Sequence, residues 1–173
     1  MKSRSDIEKR FLHEIALYDG TIRSICFMHS SPSSPFDDLY QETMVNLWRG
    51  FANFRGESSM NTWIYRVTIN TCITWLRHNR RHDETTSIDQ AMEMIPDSFD
   101  EERRRDLADM YMLISKLDPL EKSIVMMWLD ESSYDEIAAV TGLTRGAVAT
   151  RLNRIKHKLS EAESNLNSSS DHP

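Results

Sequence analysis

The run Tyr134-Asp135-Glu136-Ile137-Ala138-Ala139-Val140-Thr141-Gly142-Leu143-Thr144-Arg145-Gly146-Ala147-Val148 leaves the chain around it few ways to fold. Two helices that cross steeply need a small residue where they meet, a glycine to reverse the chain, and apolar residues that hold the second at a fixed angle. Ala138, Gly142 and the set Ile137, Val140, Leu143, Val148 and Leu152 meet those needs in order. Ser133-x-x-Glu136 is a capping box for the first helix, and Thr144 can cap the second, whose buried face continues through Ile155 and Leu159. The run predicts a helix-turn-helix. The outer face of its second helix presents Arg145, Gly146, Ala149, Thr150, Asn153, Arg154 and His157. Small residues near its start let a helix sink into a major groove, Asn153 can pair with a base edge, and Arg151, Arg154, Lys156 and Lys158 can reach phosphates. The alternative is an αα-hairpin with a solvated basic face; turn chemistry, small residues and the absence of acids favour DNA binding.

The formal net charge of −6 argues against coating nucleic acid by bulk attraction, but its distribution reverses that. From Arg49 to Arg81 six arginines stand against the single acid Glu57, and from Arg145 to Lys158 three arginines and two lysines meet no acid. Between them, His82 to Asp109 carries ten acids and only Arg103, Arg104 and Arg105. Two basic patches separated by an acidic connector predict contact with nucleic acid at two places.

Few glycines and prolines, and many Met, Leu, Ile, Glu and Arg, suit helices. Ile7, Phe11, Ile15, Tyr18, Ile22 and Ile25 recur at helical spacing, predicting a helix over 5–29 that ends at Ser30-Ser31-Pro32-Ser33-Ser34-Pro35. Asp37 offers a cap to a second helix with Phe36, Tyr40, Met44, Leu47, Trp48 and Phe51 as its apolar stripe. After a loop over 52–59, with Gly56 free to take a positive φ and Ser58 or Ser59 able to cap, a third helix spans 60–81 on a face of Trp63, Ile64, Val67, Ile73 and Leu76. Helical periodicity resumes from Leu107, and Asp118-Pro119-Leu120-Glu121 starts a further helix. The expected fold is all-α: a helical domain over 1–81, a flexible acidic linker over 82–106, a small helical domain over 107–163 ending in the helix-turn-helix, and a disordered tail over 164–173.

Apolar runs are too short and too often broken by charge for a membrane span, and no basic leader precedes an apolar stretch, so the expected place of work is the cytoplasm, without membrane insertion. Only Cys26 and Cys72 are present, which builds neither a disulfide framework nor a four-cysteine zinc site. Cys26-x-x-His29 and the pair His78 and His82 lack the glutamate of a metalloprotease helix, so no metal, cofactor or catalytic residue is expected. In the first domain aromatic residues alternate with arginines: Trp48, Arg49, Phe51, Phe54, Arg55, Trp63, Tyr65, Arg66, Trp75, Arg77. Aromatic faces stack on unpaired bases while guanidinium groups follow a backbone, which suits single-stranded nucleic acid; core packing is the competing reading for Trp48, Phe51 and Trp75.

These residues also resemble the extracytoplasmic-function sigma factors of bacterial RNA polymerase. Asp37-Asp38-Leu39-Tyr40-Gln41-Glu42-Thr43-Met44 followed by Leu47-Trp48-Arg49 resembles the family's region 2.2 helix. Phe54-Arg55-Gly56-Glu57-Ser58, Thr62-Trp63-Ile64-Tyr65-Arg66-Val67 and Asn70 resemble region 2.3, and Leu117-Asp118-Pro119 through Leu159 is similar to region 4. The resemblance implies a non-catalytic specificity subunit of core RNA polymerase. Its first domain would dock on the β′ clamp helices through Asp38, Gln41, Glu42, Leu47 and Trp48. It would take a flipped base and the melted −10 strand with Asn53, Phe54, Arg55, Gly56, Ser58, Trp63, Arg66, Asn70, Arg77 and Arg80. The second domain would bind the β flap and read duplex −35 DNA with Arg145, Gly146, Ala149, Thr150, Arg151, Asn153, Arg154 and Lys158. An anti-sigma factor is the further partner implied. Thr74, Ala149 and Met127 depart from the family's usual Asp, basic residue and Arg, the last two removing −35 contacts that relatives commonly make.

Overall fold

A computed structural model describes residues 4–79, 92, 95 and 100–169. Among them all regular structure is helical apart from one isolated bridge, Ser31 to Ser34, and the chain divides into two compact units between Asp83 and Glu84.

The first unit packs α1 (Arg4–His29), α2 (Phe36–Phe51) and α3 (Met60–His78) against one another. Phe11, Ile15, Ile22 and Ile25 of α1 are buried, as their spacing predicts, and so is Cys26, whose Sγ lies 3.5 Å from Thr43 Oγ1. Burying each Ile, Leu or Phe in such a core contributes about 1.5–3 kcal/mol. Ser31 and Ser34 exchange two backbone hydrogen bonds of 3.0 Å, which folds the proline-rich breaker into a tight turn. Asp37 does not cap α2. The helix starts two residues earlier than an Asp37 cap would start it, after Pro35, with no side-chain cap, and Phe36 stacks on Tyr40 at 5.8 Å. Asp37 and Asp38 instead sit in the first turn, where they favour the helix dipole.

The apolar stripe of α2 is also rotated from the expected one. Leu39, Thr43, Leu47 and Phe51 are buried, whereas Phe36, Tyr40 and Met44 are half-buried and Trp48 is 36% exposed. In α3 the face of Trp63, Val67, Ile73 and Leu76 is likewise half-buried, and Thr62, Ile64, Tyr65, Thr68, Ile69, Thr71 and Cys72 go inside. Both shifts have one cause: a helix packed by two neighbours buries a wide arc, and small threonines fit where two helices approach it. Ser59 is the cap, its Oγ accepting the Thr62 N–H at 3.1 Å.

In the second unit α4 (Glu101–Ser115), α5 (Pro119–Leu129), α6 (Tyr134–Thr141) and α7 (Arg145–Ser169) pack around Ile114, Ile124, Met127, Ile137, Leu152 and Ile155. Helix α4 begins six residues before the expected Leu107, because Asp100 Oδ1 accepts the Arg103 N–H at 2.9 Å and Glu101 and Glu102 fill the first turn. The last part of the expected linker, 101–106, is therefore helical. Helix α7 likewise runs on to Ser169, so 164–169 is helix where a disordered tail was expected. Asp118 with Glu121 and Ser133 with Glu136 form complete capping boxes. Among the described residues no helix is long and apolar enough to cross a membrane.

Candidate nucleic-acid interface

The helix-turn-helix is built from local chemistry. Gly142, at φ +74°, makes the left-handed turn that a Cβ would strain, and its N–H donates to Ala138 O at 2.9 Å to close α6. Thr144 Oγ1 accepts the Ala147 N–H at 3.2 Å and starts α7. Ser133 donates its N–H and its hydroxyl to Glu136 Oε2, both at 2.8 Å, which holds the Glu136 carboxyl below its ordinary pKa, the backbone bond being the larger cause. With Ile137, Val140, Val148, Leu152 and Ile155 buried, α7 presents Arg145, Gly146, Thr150, Asn153, Arg154 and His157 as exposed residues and Ala149 and Arg151 as half-buried ones.

Several cations of this stretch are engaged by the protein itself. Arg145 Nη1 lies 3.3 Å from Asp135 Oδ2, and Lys156 Nζ sits 4.2 Å from the Trp128 ring centroid. Lys158 Nζ is 2.6 Å from Glu121 Oε1, with Glu121 only 7% exposed. Lys158, expected as a phosphate contact, thus has an acidic partner in its own fold while about half of its side chain stays exposed. Met127 is 1% exposed, so its position lies in the core and the departure there removes no side chain from the surface. Thr150 Oγ1 donates to Gly146 O at 3.0 Å, leaving its lone pairs and methyl to face outward.

In the first unit a cleft of about 320 Å³ opens at the 52–59 loop. Asn53, Phe54, Arg55, Ser58, Trp63 and Arg66 line it, six of the residues expected to take an unpaired base. Gly50 and Glu57 also line it, and sequence reasoning named neither for this role. Phe54 and Trp63 lie 5.2 Å apart, tilted by 41°. Gly56 holds φ +75° in the loop but does not line the cleft. Asn70 lines a separate cleft of about 650 Å³ between α2 and α3, together with Glu42, Thr74 and Trp75. Arg77 is exposed and lines neither cleft, and Arg80 lies outside the described residues.

On α2, Asp38 and Gln41 are exposed and Glu42 is half-buried, its Oε1 accepting from Asn46 Nδ2 at 3.4 Å. Trp48 packs edge-on against Phe11 at 5.1 Å while keeping part of its ring outside. Leu47 is fully buried and cannot touch a partner; it anchors the helix whose outer face would. Val45, 40% exposed, lies a helical turn after Gln41 on that face and was not anticipated. Of the residues considered for a metal, Cys26 and His29 are buried, with His29 Nδ1 2.9 Å from Ile25 O, and His82 lies outside the described residues.

The family model for Sigma-70 region 2 matches residues 15–82, and that for Sigma-70, region 4 matches residues 107–159. The chain belongs to the sigma-70 family, in its extracytoplasmic-function group. It is 28% identical to the RNA polymerase sigma factor YlaC of Bacillus subtilis over 169 residues, covering 92% of each chain. It is 27% identical to the ECF RNA polymerase sigma-E factor of Escherichia coli over 167 residues, 88% of this chain and 85% of that one. Among solved structures the sigma factor RpoE of Bartonella quintana, in complex with the anti-sigma factor NepR, superimposes with a TM-score of 0.71 at 20% identity, covering 88% and 96% of the two chains. CnrH, in complex with the cytosolic domain of CnrY, gives 0.65 at 22% identity over 91% and 90%. As a sigma factor the chain acts with core RNA polymerase in promoter-specific transcription initiation.

Proposed function

We propose that the two units of this sigma factor divide promoter reading between duplex and melted DNA. The second unit reads the −35 element from the exposed face of α7. Asn153 and Thr150 approach base edges, while Arg145, Arg151 and Arg154 stand toward phosphates and Gly146 and Ala149 admit the helix to the groove. The loop cleft of the first unit takes an unpaired base of the −10 strand, and Asn70 and Arg77 of α3 contact the strand beside it. Asp38, Gln41, Glu42 and Trp48 form the polymerase-facing side of α2. The chain carries no reaction of its own and works in the cytoplasm, on duplex and single-stranded promoter DNA. An anti-sigma factor controls its access to polymerase, a reading supported by the complex in which RpoE of Bartonella quintana was solved.

The observation that carries this reading is the loop cleft. Phe54, Arg55, Trp63 and Arg66, four of the residues singled out for alternating aromatic and cationic character, line one opening beside a positive-φ glycine. Asn53→Ala and Ser58→Ala are expected to leave promoter duplex binding by the holoenzyme nearly intact and to prevent open-complex formation, read as loss of permanganate-reactive thymines. A pre-melted bubble should restore part of the signal, since strand separation is then already supplied. Native-promoter opening equal to the parent's would return 52–59 to a plain helix connector.

A further inference from the structure

Of the five cations between Arg145 and Lys158, Lys158 alone pairs with a carboxylate that is itself buried. The Arg145 and Asp135 side chains are 69% and 73% exposed, so water and salt weaken their pair and a phosphate can replace Asp135 without stranding it. Glu121 is different. Its side chain is 10% exposed, one oxygen receives Lys158 Nζ at 2.6 Å, and the other lies 3.5 Å from the Asp118 N–H it helps to cap. If Lys158 left for a DNA phosphate, a buried carboxylate would lose its counter-charge, an outcome more costly than a surface phosphate contact is favourable. Lys158 lies one helical turn beyond exposed Arg154, on the same side of α7, so its position along the helix suits a phosphate contact.

We propose that Glu121 is an affinity-determining residue of the sigma factor: by holding Lys158 it withholds one cation from the DNA-facing helix and lowers non-specific attachment. The inference rests on the reading of α7 as the DNA-binding helix. Each phosphate contact contributes about 0.9 to the slope of log K against log salt. Freeing one cation therefore strengthens binding about eightfold at 0.1 M salt, on any sequence, with the gain vanishing toward 1 M.

The test uses the full chain and fluorescence anisotropy with two duplexes, a −35 duplex and its scrambled counterpart, from 50 to 300 mM salt. Glu121→Gln keeps a side chain that can complete the capping box while removing the charge. It should raise the salt slope by about 0.9 and tighten both duplexes about eightfold at 0.1 M. Lys158→Met should leave the parent slope unchanged, and the double variant should match Lys158→Met. Circular dichroism and thermal melts establish that each variant is folded at the assay temperature. A loss of about one slope unit in Lys158→Met would overturn the proposal, because the lysine would then already touch DNA. An unchanged slope in Glu121→Gln would overturn it too, as would a double variant that keeps the gain, since the gain would then come from the lost negative charge alone. If the parent binds neither duplex in a salt-sensitive way, it is the DNA-binding reading of α7 that fails, and the role of Glu121 falls with it.

Discussion

Replacing Gly50 by alanine tests the loop cleft without replacing any side chain assigned to DNA. A Cβ built on Gly50 would lie 3.0 Å from Trp63 Cζ2, closer than packed carbon atoms normally approach. Trp63 is wedged in turn against Phe54 at 5.2 Å and Phe51 at 6.3 Å, so the indole has to move as a ring. Overpacking of this kind costs about 1–3 kcal/mol, while alanine in place of glycine in a helix returns about 0.5–1 kcal/mol. The net should range from near zero to about 2.5 kcal/mol of destabilisation, and each kcal/mol lowers the melting temperature of a small domain by about 4–8 °C. The effect on function should exceed the effect on stability. A base stacked on an aromatic ring gains about 1–3 kcal/mol, so moving Trp63 out of register should reduce the equilibrium constant for opening a native promoter by between about fivefold and about 150-fold. Thermal melts of the chain and permanganate reactivity of the holoenzyme complex read the two quantities separately. If Gly50→Ala melts about 0.5–1 kcal/mol more stably and opens the promoter like the parent, the glycine is merely a weak helix former and Trp63 has room to yield.

Three further substitutions test other parts of the molecule. Glu42→Arg should abolish co-purification with core polymerase while leaving the circular dichroism spectrum unchanged; normal association would remove the outer face of α2 from that interface. Asn153→Ala should cost about 1–3 kcal/mol at one −35 position in a single-base substitution panel and leave the others unaltered, whereas a uniform loss would make Asn153 a backbone contact. Glu136, whose carboxyl is held below its ordinary value of 4.5 by the Ser133 hydrogen bonds, stabilises the second unit at pH above 4.5, and that contribution is lost as pH falls through the lowered native value. Melting curves from pH 6 to 3 should therefore fall less steeply for Glu136→Gln than for the parent, and identical slopes would show that the capping box does not titrate.

What was legible in the sequence was whatever depends on neighbours within a turn or two. The capping boxes at Asp118 and Ser133, the reversal at Gly142 and the buried stripe of α1 are decided within a few residues, and the structure carries all of them. The reading failed where more than one helix competes for a side chain. Leu47 has the spacing of the apolar stripe, and the family resemblance alone gives it to the docking surface; α1 and α3 both pack on α2 and enclose it. Asp37 has the chemistry of a cap, but Phe36 is drawn into the helix by Tyr40 and leaves Pro35 at that position. Gly50 gave no signal either, since its value lies in an indole thirteen residues away.

The basic stretch of α7 illustrates the same limit in electrostatic form. The run without an intervening acid suggests four phosphate contacts, from Arg151, Arg154, Lys156 and Lys158, beside Arg145 on the outer face, which would imply a salt slope of about 3.6. The partners of Arg145, Lys156 and Lys158 are a carboxylate ten residues upstream, a tryptophan ring on α5 and a carboxylate 37 residues distant. None of the three is visible in the local pattern, and they differ in what DNA can displace. Water already competes for the exposed Asp135 pair, and an ammonium over a ring face loses little by turning to a phosphate. The lysine on buried Glu121 is retained, because its departure leaves a charge without solvent or counterion. The number of cations available to DNA is thus set by the burial of their partners, which belongs to the packing of α5 against α7.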